Sequence, residues 1–341
     1  MPSDGKIIIS FPKWIPESLN NIVSVLSSTQ VQCATGLTGF SSNKINCTFT
    51  VDFSSSTAFD SLEISGPFDS SATNIVFKVS GVLNPPSTTS YTGISITTSA
   101  IDTANVLDTG TNINFPMAIP SPLDSSNVLL LIPSAFTKIN IAAVYTFNIT
   151  IKIPLTAGSS IKMTFPATLT PTTPIPAIQA ISNIDNTMTV AYDTTNKILT
   201  LSNIVAAGNL VSENKKIQFS VTTVTNPTTT QPTNSIIYES FDSSGGAIER
   251  CNSGIIVTAT PGLIASNATV VPVDPIVKIT TSYAFKFQPE NIIPAGSILY
   301  IVFPSTISIT NLTSNACLTN VANIAVGGLC TITENRYLTI K

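Results

Sequence analysis

This chain of 341 residues contains no histidine, one tryptophan and few charges, Asp, Glu, Lys and Arg together making up 10% of it. Without histidine the usual general base is missing, and with it the Ser-His and Cys-His dyads. Metal ligation would fall to scattered carboxylates, because no Cys-x-x-Cys occurs either. No GxSxG, P-loop or GxGxxG motif is present. The nearest approaches to acidic pairs are Asp52 with Asp60 and Asp102 with Asp108. Neither has the packed spacing of a calcium loop, so both read as solvated loop acids. Trp14, in "FPKW", reads as a core or interface plug rather than a sugar platform. No enzyme activity, cofactor or metal is expected. A net charge of -3 without a basic cluster offers nucleic acid no electrostatic footprint. The apolar runs "NVLLLIP" and "IAAVYTFNITIKIPL" are too short or too broken by polar residues and proline to span a bilayer. After Met1 comes Pro2-Ser3-Asp4, with neither a basic nor an apolar leader region. The reading is therefore of a processed chain or a window from a longer one.

Hydroxyls stand where charges are missing. Ser and Thr make up roughly a quarter of the residues, well above their share in an ordinary domain. Thr favours strands and hydroxyl-rich loops can carry sugar, a habit that suits extracellular β proteins.

The strongest positive signal is internal repetition. "YTFNITIKIPLTAGSSIKMTFP", from Tyr145, aligns with "YAFKFQPENIIPAGSILYIVFP", from Tyr283, at a spacing of about 138 residues. Tyr145 falls on Tyr283, Phe147 on Phe285, Gly158 on Gly296 and Phe165-Pro166 on Phe303-Pro304. A second block, "IVFKVSGVLNPPSTT", aligns with "IQFSVTTVTNPTTT" at about 142, placing Phe77 on Phe219 and Asn84-Pro85 on Asn226-Pro227. Within one unit the segments "YTFNITI", "SSIKMTFP", "TMTVAYD", "KILTLSNI", "KKIQFSVTTV" and "SIIYESF" are short and alternating, and each is bounded by Pro, Gly, Asn or Ser. Six or seven such strands in about 115 residues predict an immunoglobulin-like sandwich of two antiparallel sheets.

The fold expected is all-β: tandem immunoglobulin-like antiparallel β-sandwiches with incomplete end domains. Residues 1–112 form a sandwich lacking its first strand, 113–135 a connecting segment, 136–257 a complete sandwich, 258–275 a second connector and 276–341 a partial sandwich. On this phasing "DGKIIISFP" is a second strand whose predecessor lies upstream, and "CTITENRYLTIK" matches "CTFTVDFSSSTAFDSLEI", so the third unit stops midway. Each end would expose an unpaired strand edge for an adjoining repeat or a neighbouring copy to cover.

Cys33 and Cys47 in the first unit match Cys317 and Cys330 in the third, and the middle unit lacks both partners. Loss as a pair favours two disulfides, Cys33–Cys47 and Cys317–Cys330, over buried thiols acting as small hydrophobes. Cys251 is left over, either an inert buried thiol or a covalent link to another chain. Four sequons begin at Asn46, Asn148, Asn267 and Asn311, although Asn and hydroxyl residues are common enough here to supply such triplets by chance. Asn267 is the best candidate for N-glycosylation, and Asn148 qualifies only if its strand face meets solvent. "LTPTTPIP" and "NPTTTQPTNS" suit O-linked sugar or simple turn chemistry.

Tandem Ser-, Thr- and Asn-rich sandwiches, poor in charge, with a recurring apolar strand ending in Phe-Pro and a Cys pair per unit, resemble the giant repetitive surface and extracellular proteins of ciliates and related protists. The resemblance implies a secreted, glycosylated structural or adhesive array. Two functions compete. One is a structural segment of an extracellular filament or surface coat, assembling end to end. The other is an adhesin or carbohydrate-binding module, which calls for clustered exposed aromatics beside acids or amides.

Overall fold

The computed structural model describes residues 5–12, 32–33, 38, 46–50, 59–69, 74–77, 79–80, 86–89, 93–100, 105–114, 119–171, 176–264, 268–293, 296–309, 330–334 and 336–340. Nearly every described element is a strand. The helical exception among the described residues is one 3-10 turn, Ser134–Phe136. The chain divides into two compact units, Met1–Thr260 and Pro261–Lys341.

The first unit holds two separate hydrophobic cores. Around the smaller one lie β1 (Lys6–Pro12), β2 (Gln32–Cys33), β3 (Asn46–Thr50), β4 (Phe59–Ser65), β5 (Val79–Ser80), β6 (Ile94–Ser99) and β7 (Val106–Ile113). Five of these make an antiparallel sheet in the order β3-β4-β1-β6-β7, and β2 pairs with β5. Alternation on β1 and β4 turns Ile7, Ile9, Leu62 and Ile64 inward, where they meet Phe68 and Ile94.

The larger core belongs to the middle sandwich. Its strands are β8 (Ser121–Pro122), β9 (Val128–Leu131), β10 (Ala142–Thr150), β11 (Leu155–Thr156), β12 (Ser160–Thr164), β13 (Thr170–Pro171), β14 (Ile178–Ser182), β15 (Thr189–Asp193), β16 (Ile198–Ser202), β17 (Leu210–Val211), β18 (Lys216–Thr225), β19 (Ile237–Phe241) and β20 (Ala247–Cys251). One sheet runs β13-β18-β10-β9, with β14 also on β18, and the other runs β15-β16-β12-β19-β20-β8. From the first sheet Tyr145, Phe147, Ile149, Ile217, Phe219 and Val221 point inward, and from the second Ile161, Met163, Leu199, Leu201 and Tyr238; all are fully buried. Phe147 stacks on Phe219 at 5.4 Å between ring centroids and meets Phe165 edge-on at 6.5 Å. Burying side chains of this size contributes about 1.5–3 kcal/mol each, which makes this double layer the main source of stability.

The segment 113–135, read from sequence as a connector, supplies two strands to this sandwich. β9 pairs antiparallel with β10, and β8 pairs parallel with β20. Its run "NVLLLIP" is apolar on both faces, which hides the alternation: Val128 is buried while Leu129 and Leu131 are exposed. The second presumed connector likewise begins inside the sandwich, where Ala259 is buried and Thr260 bridges Lys138.

The second unit contains β21 (Thr269–Pro272), β22 (Tyr283–Lys286), β23 (Leu299–Val302), β24 (Cys330–Thr333) and β25 (Tyr337–Ile340). β21 pairs with β22, and the other three make a sheet in the order β23-β25-β24. The sequence repeat reappears as topology: β3-β4-β1, β15-β16-β12 and β24-β25-β23 are one arrangement seen three times, and β6-β7 extend it as β19-β20 do. The glycine opening the recurring phrase has a backbone reason. Gly158 and Gly296 take φ of 78° and 82°, a left-handed turn that costs other residues strain, and a Cβ on Gly158 would sit 3.0 Å from that of Ser243.

Candidate functional site: repeat junction, buried polar groups and an open groove

Where the two cores of the first unit adjoin, the turn Asp242–Gly246 acts as a clasp. Asp242 Oδ1 accepts from the Ser244 and Gly246 amides, both at 2.8 Å. Its Oδ2 accepts from the Thr89 hydroxyl at 2.6 Å and from the Ser87 hydroxyl. Thr88 adds one backbone and one side-chain bond, its amide donating to Ala247 O and its Oγ1 accepting from the Ala247 amide, each at 2.8 Å. Partial burial opposes ionisation of Asp242, but the four donors outweigh it and hold the pKa below the usual carboxylate range. The hydroxyls of "PSTTS" thus join one repeat to the next.

A second polar device closes the opposite sheet. Tyr145 donates its hydroxyl to Asn226 Oδ1 at 2.8 Å. Asn226 Nδ2 donates to the carbonyls of Phe136 and Lys138, both at 2.7 Å, and its amide donates to Ile141 O. The repeated Asn-Pro therefore marks a buried amide that ties three segments together. Sequence alignment showed the recurrence without its cause.

Inside the middle sandwich lies a carboxylate that the sequence reading overlooked. A bulge between Ser240 and Phe241 leaves Ile248 as the extra residue of β20, so Ile248 and Glu249 are both buried. Glu249 Oε1 accepts from the Lys152 and Ile153 amides at 2.6 and 2.9 Å, while Oε2 has no partner. Burial pushes its pKa up to about 7, and the two amides moderate that rise. Tyr238, on the same inner face, has its hydroxyl unpartnered and its pKa raised by burial and then by the Glu249 charge. The signal was present in "AIERC": on a strand that turns Cys251 inward, Glu249 two residues earlier shares that face. Cys251 is a free, wholly buried thiol that donates to Ser253 O at 3.4 Å, and burial raises its pKa. It cannot reach another chain unless the sandwich opens.

The other sequence-predicted sites scatter. Asn46 begins β3 and is exposed. Asn148 stands on the outer face of β10 between β9 and β18, half-buried, with its Oδ1 enclosed and unpartnered. Asn267 and Asn311 lie outside the described residues. Cys33 and Cys47 sit on β2 and β3, which adjoin, and Cys330 opens β24. The side chain of Cys33 and all of Cys317 lie outside the described residues, as do Trp14, Asp52 and Asp102. Asp108 accepts from the Thr98 hydroxyl across a strand pair at 3.1 Å. Among the described residues no three His, Cys, Asp or Glu side chains gather as a metal site, and no helix is long and apolar enough to cross a membrane.

The second unit carries a groove of about 490 Å³ between β21-β22 and β23. Its walls are apolar, with Val270, Tyr283, Phe285, Leu299, Ile301 and Phe303 prominent. Phe285 meets Phe303 edge-on at 5.7 Å, as Phe147 meets Phe165 in the middle sandwich.

No protein-family model matches the chain, and no curated protein does. Among solved structures, the chain aligns with the C-terminal domain of the Streptococcus agalactiae AgI/II polypeptide BspA at 9% identity, over 75% of this chain and 85% of that one, with a TM-score of 0.29. It aligns with a type II cohesin dyad from the adaptor ScaA scaffoldin of Acetivibrio cellulolyticus at 10% identity, over 76% and 91%, with a TM-score of 0.28. The collagen adhesin of S. aureus aligns at 9% identity, over 75% and 83%, with a TM-score of 0.20. Likeness at this level assigns neither family nor ligand, and the sandwich architecture rests on the strands themselves.

Proposed function

We propose that this chain is a structural repeat segment of an extracellular filament or cell-surface coat, assembling end to end and carrying glycans. The observation that carries the reading is the contrast between equivalent inner faces. Tyr145, Phe147 and Ile149 are fully buried, whereas Tyr283, Phe285 and Phe287 are only half-buried. An apolar sheet face left half open needs a covering neighbour to be stable in water. The clasp at Asp242 supports the same reading, because it joins successive repeats by several directed bonds rather than by a loose linker. Disulfides Cys33–Cys47 and Cys317–Cys330, and sugar on exposed sequons such as Asn46, belong to this extracellular reading. Electron microscopy of native material tests it: a polymer with an axial repeat of whole sandwiches is expected, and discrete monomers would overturn it.

One observation favours the adhesin reading. Tyr300, largely exposed, stacks on Tyr337 at 5.9 Å between ring centroids, with Arg336 over the Tyr337 ring, a small aromatic platform on the surface of the second unit. Titration with oligosaccharides, read by tyrosine fluorescence, tests that platform.

A further inference from the structure

The inner face of β19 and β20 carries a polar patch that neither the clasp nor the repeat uses. Tyr238 stands opposite Cys251 and Ser240 opposite Glu249, and all four side chains are fully buried. Ser240 Oγ accepts from the Glu249 amide at 3.2 Å and the Cys251 thiol donates to Ser253 O, but Glu249 Oε2 and the Tyr238 hydroxyl have no partner. A carboxyl enclosed in that state is tolerated as a neutral acid and costly as an anion. The elements around it differ in how firmly they are held. β19 is fixed by four residue pairs to β20 and five to β12, and Ile151, just before the amides that serve Glu249, exchanges bonds with Asn214 and Lys215. β8 meets β20 through two pairs alone, Ser121 with Glu249 and Pro122 with Arg250. After it the Leu123 amide donates to Arg250 O at 2.8 Å, the Leu123 side chain enters the core, and the turn 124–127 ends where Asn127 O accepts from the Thr150 amide. Within that turn Ser125 lies so close to Gly254 that a side chain there would collide with it, which sets the turn against the loop just past Cys251.

We infer that residues 121–127 form a lid over Cys251 worked by the charge on Glu249: shut while that carboxyl is neutral and lifted when it ionises, so that the thiol is masked in acid and reactive at neutral pH. The lid is the part that moves because it is the least firmly held of the elements around Glu249, and water admitted there reaches Oε2 without unfolding the sandwich. The other titratable and charged groups facing the patch are Tyr238 from β19, Cys251 on the same strand, Lys152 from the crossing after β10 and Asp124 from the lid. Burial moves the Tyr238 hydroxyl and the Cys251 thiol further above neutrality, and Ser126 holds Asp124 below the usual carboxylate range. Among these acids Glu249 is the one that changes state between pH 5 and 8, and the nearby Lys152 charge favours its ionised form. With the shut lid holding the carboxyl near 7 and open water returning it to 4.5, opening rises with pH by up to about tenfold per unit and levels off above neutrality.

The test treats the full chain, without reductant, with an aromatic disulfide from pH 5 to 8, beside Glu249→Gln. The Cys251 thiol loses its proton to solvent and its sulfur displaces one aromatic thiolate, and peptide mapping assigns the product to Cys251. Ionisation of the thiol itself affects both chains alike, so the ratio of wild-type to Glu249→Gln rates reads the lid. That ratio should climb about tenfold or more between pH 5 and pH 8. Both rates should be nearly insensitive to urea below the unfolding transition, because lifting a short segment exposes little surface. Leu123→Ala removes the anchor of the lid from the core and should raise the rate at pH 5 about tenfold or more, again without a steep urea dependence. A ratio that stays constant across this range would overturn the role of Glu249. Rates that follow urea as steeply as global unfolding does, or a Leu123→Ala rate equal to that of the wild type, would overturn the lid.

Discussion

Glu249 should make the middle sandwich more stable in mild acid than at neutral pH. Its carboxyl is fully buried, one oxygen is served by two amides, and the other has no partner. Burial raises the folded-state pKa from 4.5 to about 7. Below the unfolded value both states hold the proton, and Glu249 imposes no penalty. As pH rises through the interval, the unfolded chain ionises while the folded chain keeps its proton, so stability falls. The slope approaches about 1.4 kcal/mol per pH unit, and the whole span amounts to about 3 kcal/mol, levelling off above neutrality. The carboxylates held below their ordinary range, Asp242, Asp193 and Asp124, act in the opposite sense and only as pH drops below about 4. The window between pH 5 and 7 therefore belongs to Glu249. Urea denaturation at half-unit steps from pH 5 to 8 measures the effect, with Glu249→Gln as control. Glutamine keeps an oxygen for the Lys152 and Ile153 amides and carries no charge, so the slope should vanish. A flat wild-type profile, or a slope that survives in Glu249→Gln, would refute the reasoning.

Three further outcomes are expected. Tyr145→Phe removes one buried hydrogen bond and should cost about 1 kcal/mol, whereas Asn226→Ala strips the acceptor for Tyr145 and the donors to Phe136 and Lys138 and should cost about 2–4 kcal/mol, both by denaturation. Asp242→Ala should speed hydrogen exchange at the Thr88 and Ala247 amides at least tenfold by loosening the clasp, and unchanged protection there would show that the side-chain bonds contribute nothing. In protein from a secreting host, non-reducing peptide mapping should recover Cys33–Cys47 and Cys317–Cys330, each bridge contributing about 3 kcal/mol, with Asn148 unglycosylated because β9 and β18 flank it; free thiols or sugar on Asn148 would contradict these readings.

Much of the architecture was legible in the chain. Alternation in "YTFNITI" and "KKIQFSVTTV" identified inward faces because a strand's side-chain period is local and survives any tertiary context. The recurring apolar phrase that ends at Phe11-Pro12, Phe165-Pro166 and Phe303-Pro304 foretold equivalent strands, and β1, β12 and β23 hold the same place in the threefold β15-β16-β12 order. Uniform apolarity defeated the same logic in "NVLLLIP", where β9 emerged from a presumed connector. The sites divide in the same way. Asn226 was visible as a repeated Asn-Pro, yet its role depends on Tyr145, Phe136 and Lys138 converging from distant positions.

Composition and periodicity alone determined that this is a charge-poor, hydroxyl-surfaced β protein without histidine chemistry, because residue type and side-chain alternation need no partner to be read. Only the tertiary structure decided which strands pair, because pairing joins residues far apart in sequence. It was the pairing of β20 with β19 that enclosed Glu249, the bulge that buried Ile248 beside it, and the packing at Asp242 that made a serine-threonine loop into a clasp. The half-burial of Tyr283, Phe285 and Phe287 is likewise a tertiary fact, since exposure depends on packing that no residue encodes by itself.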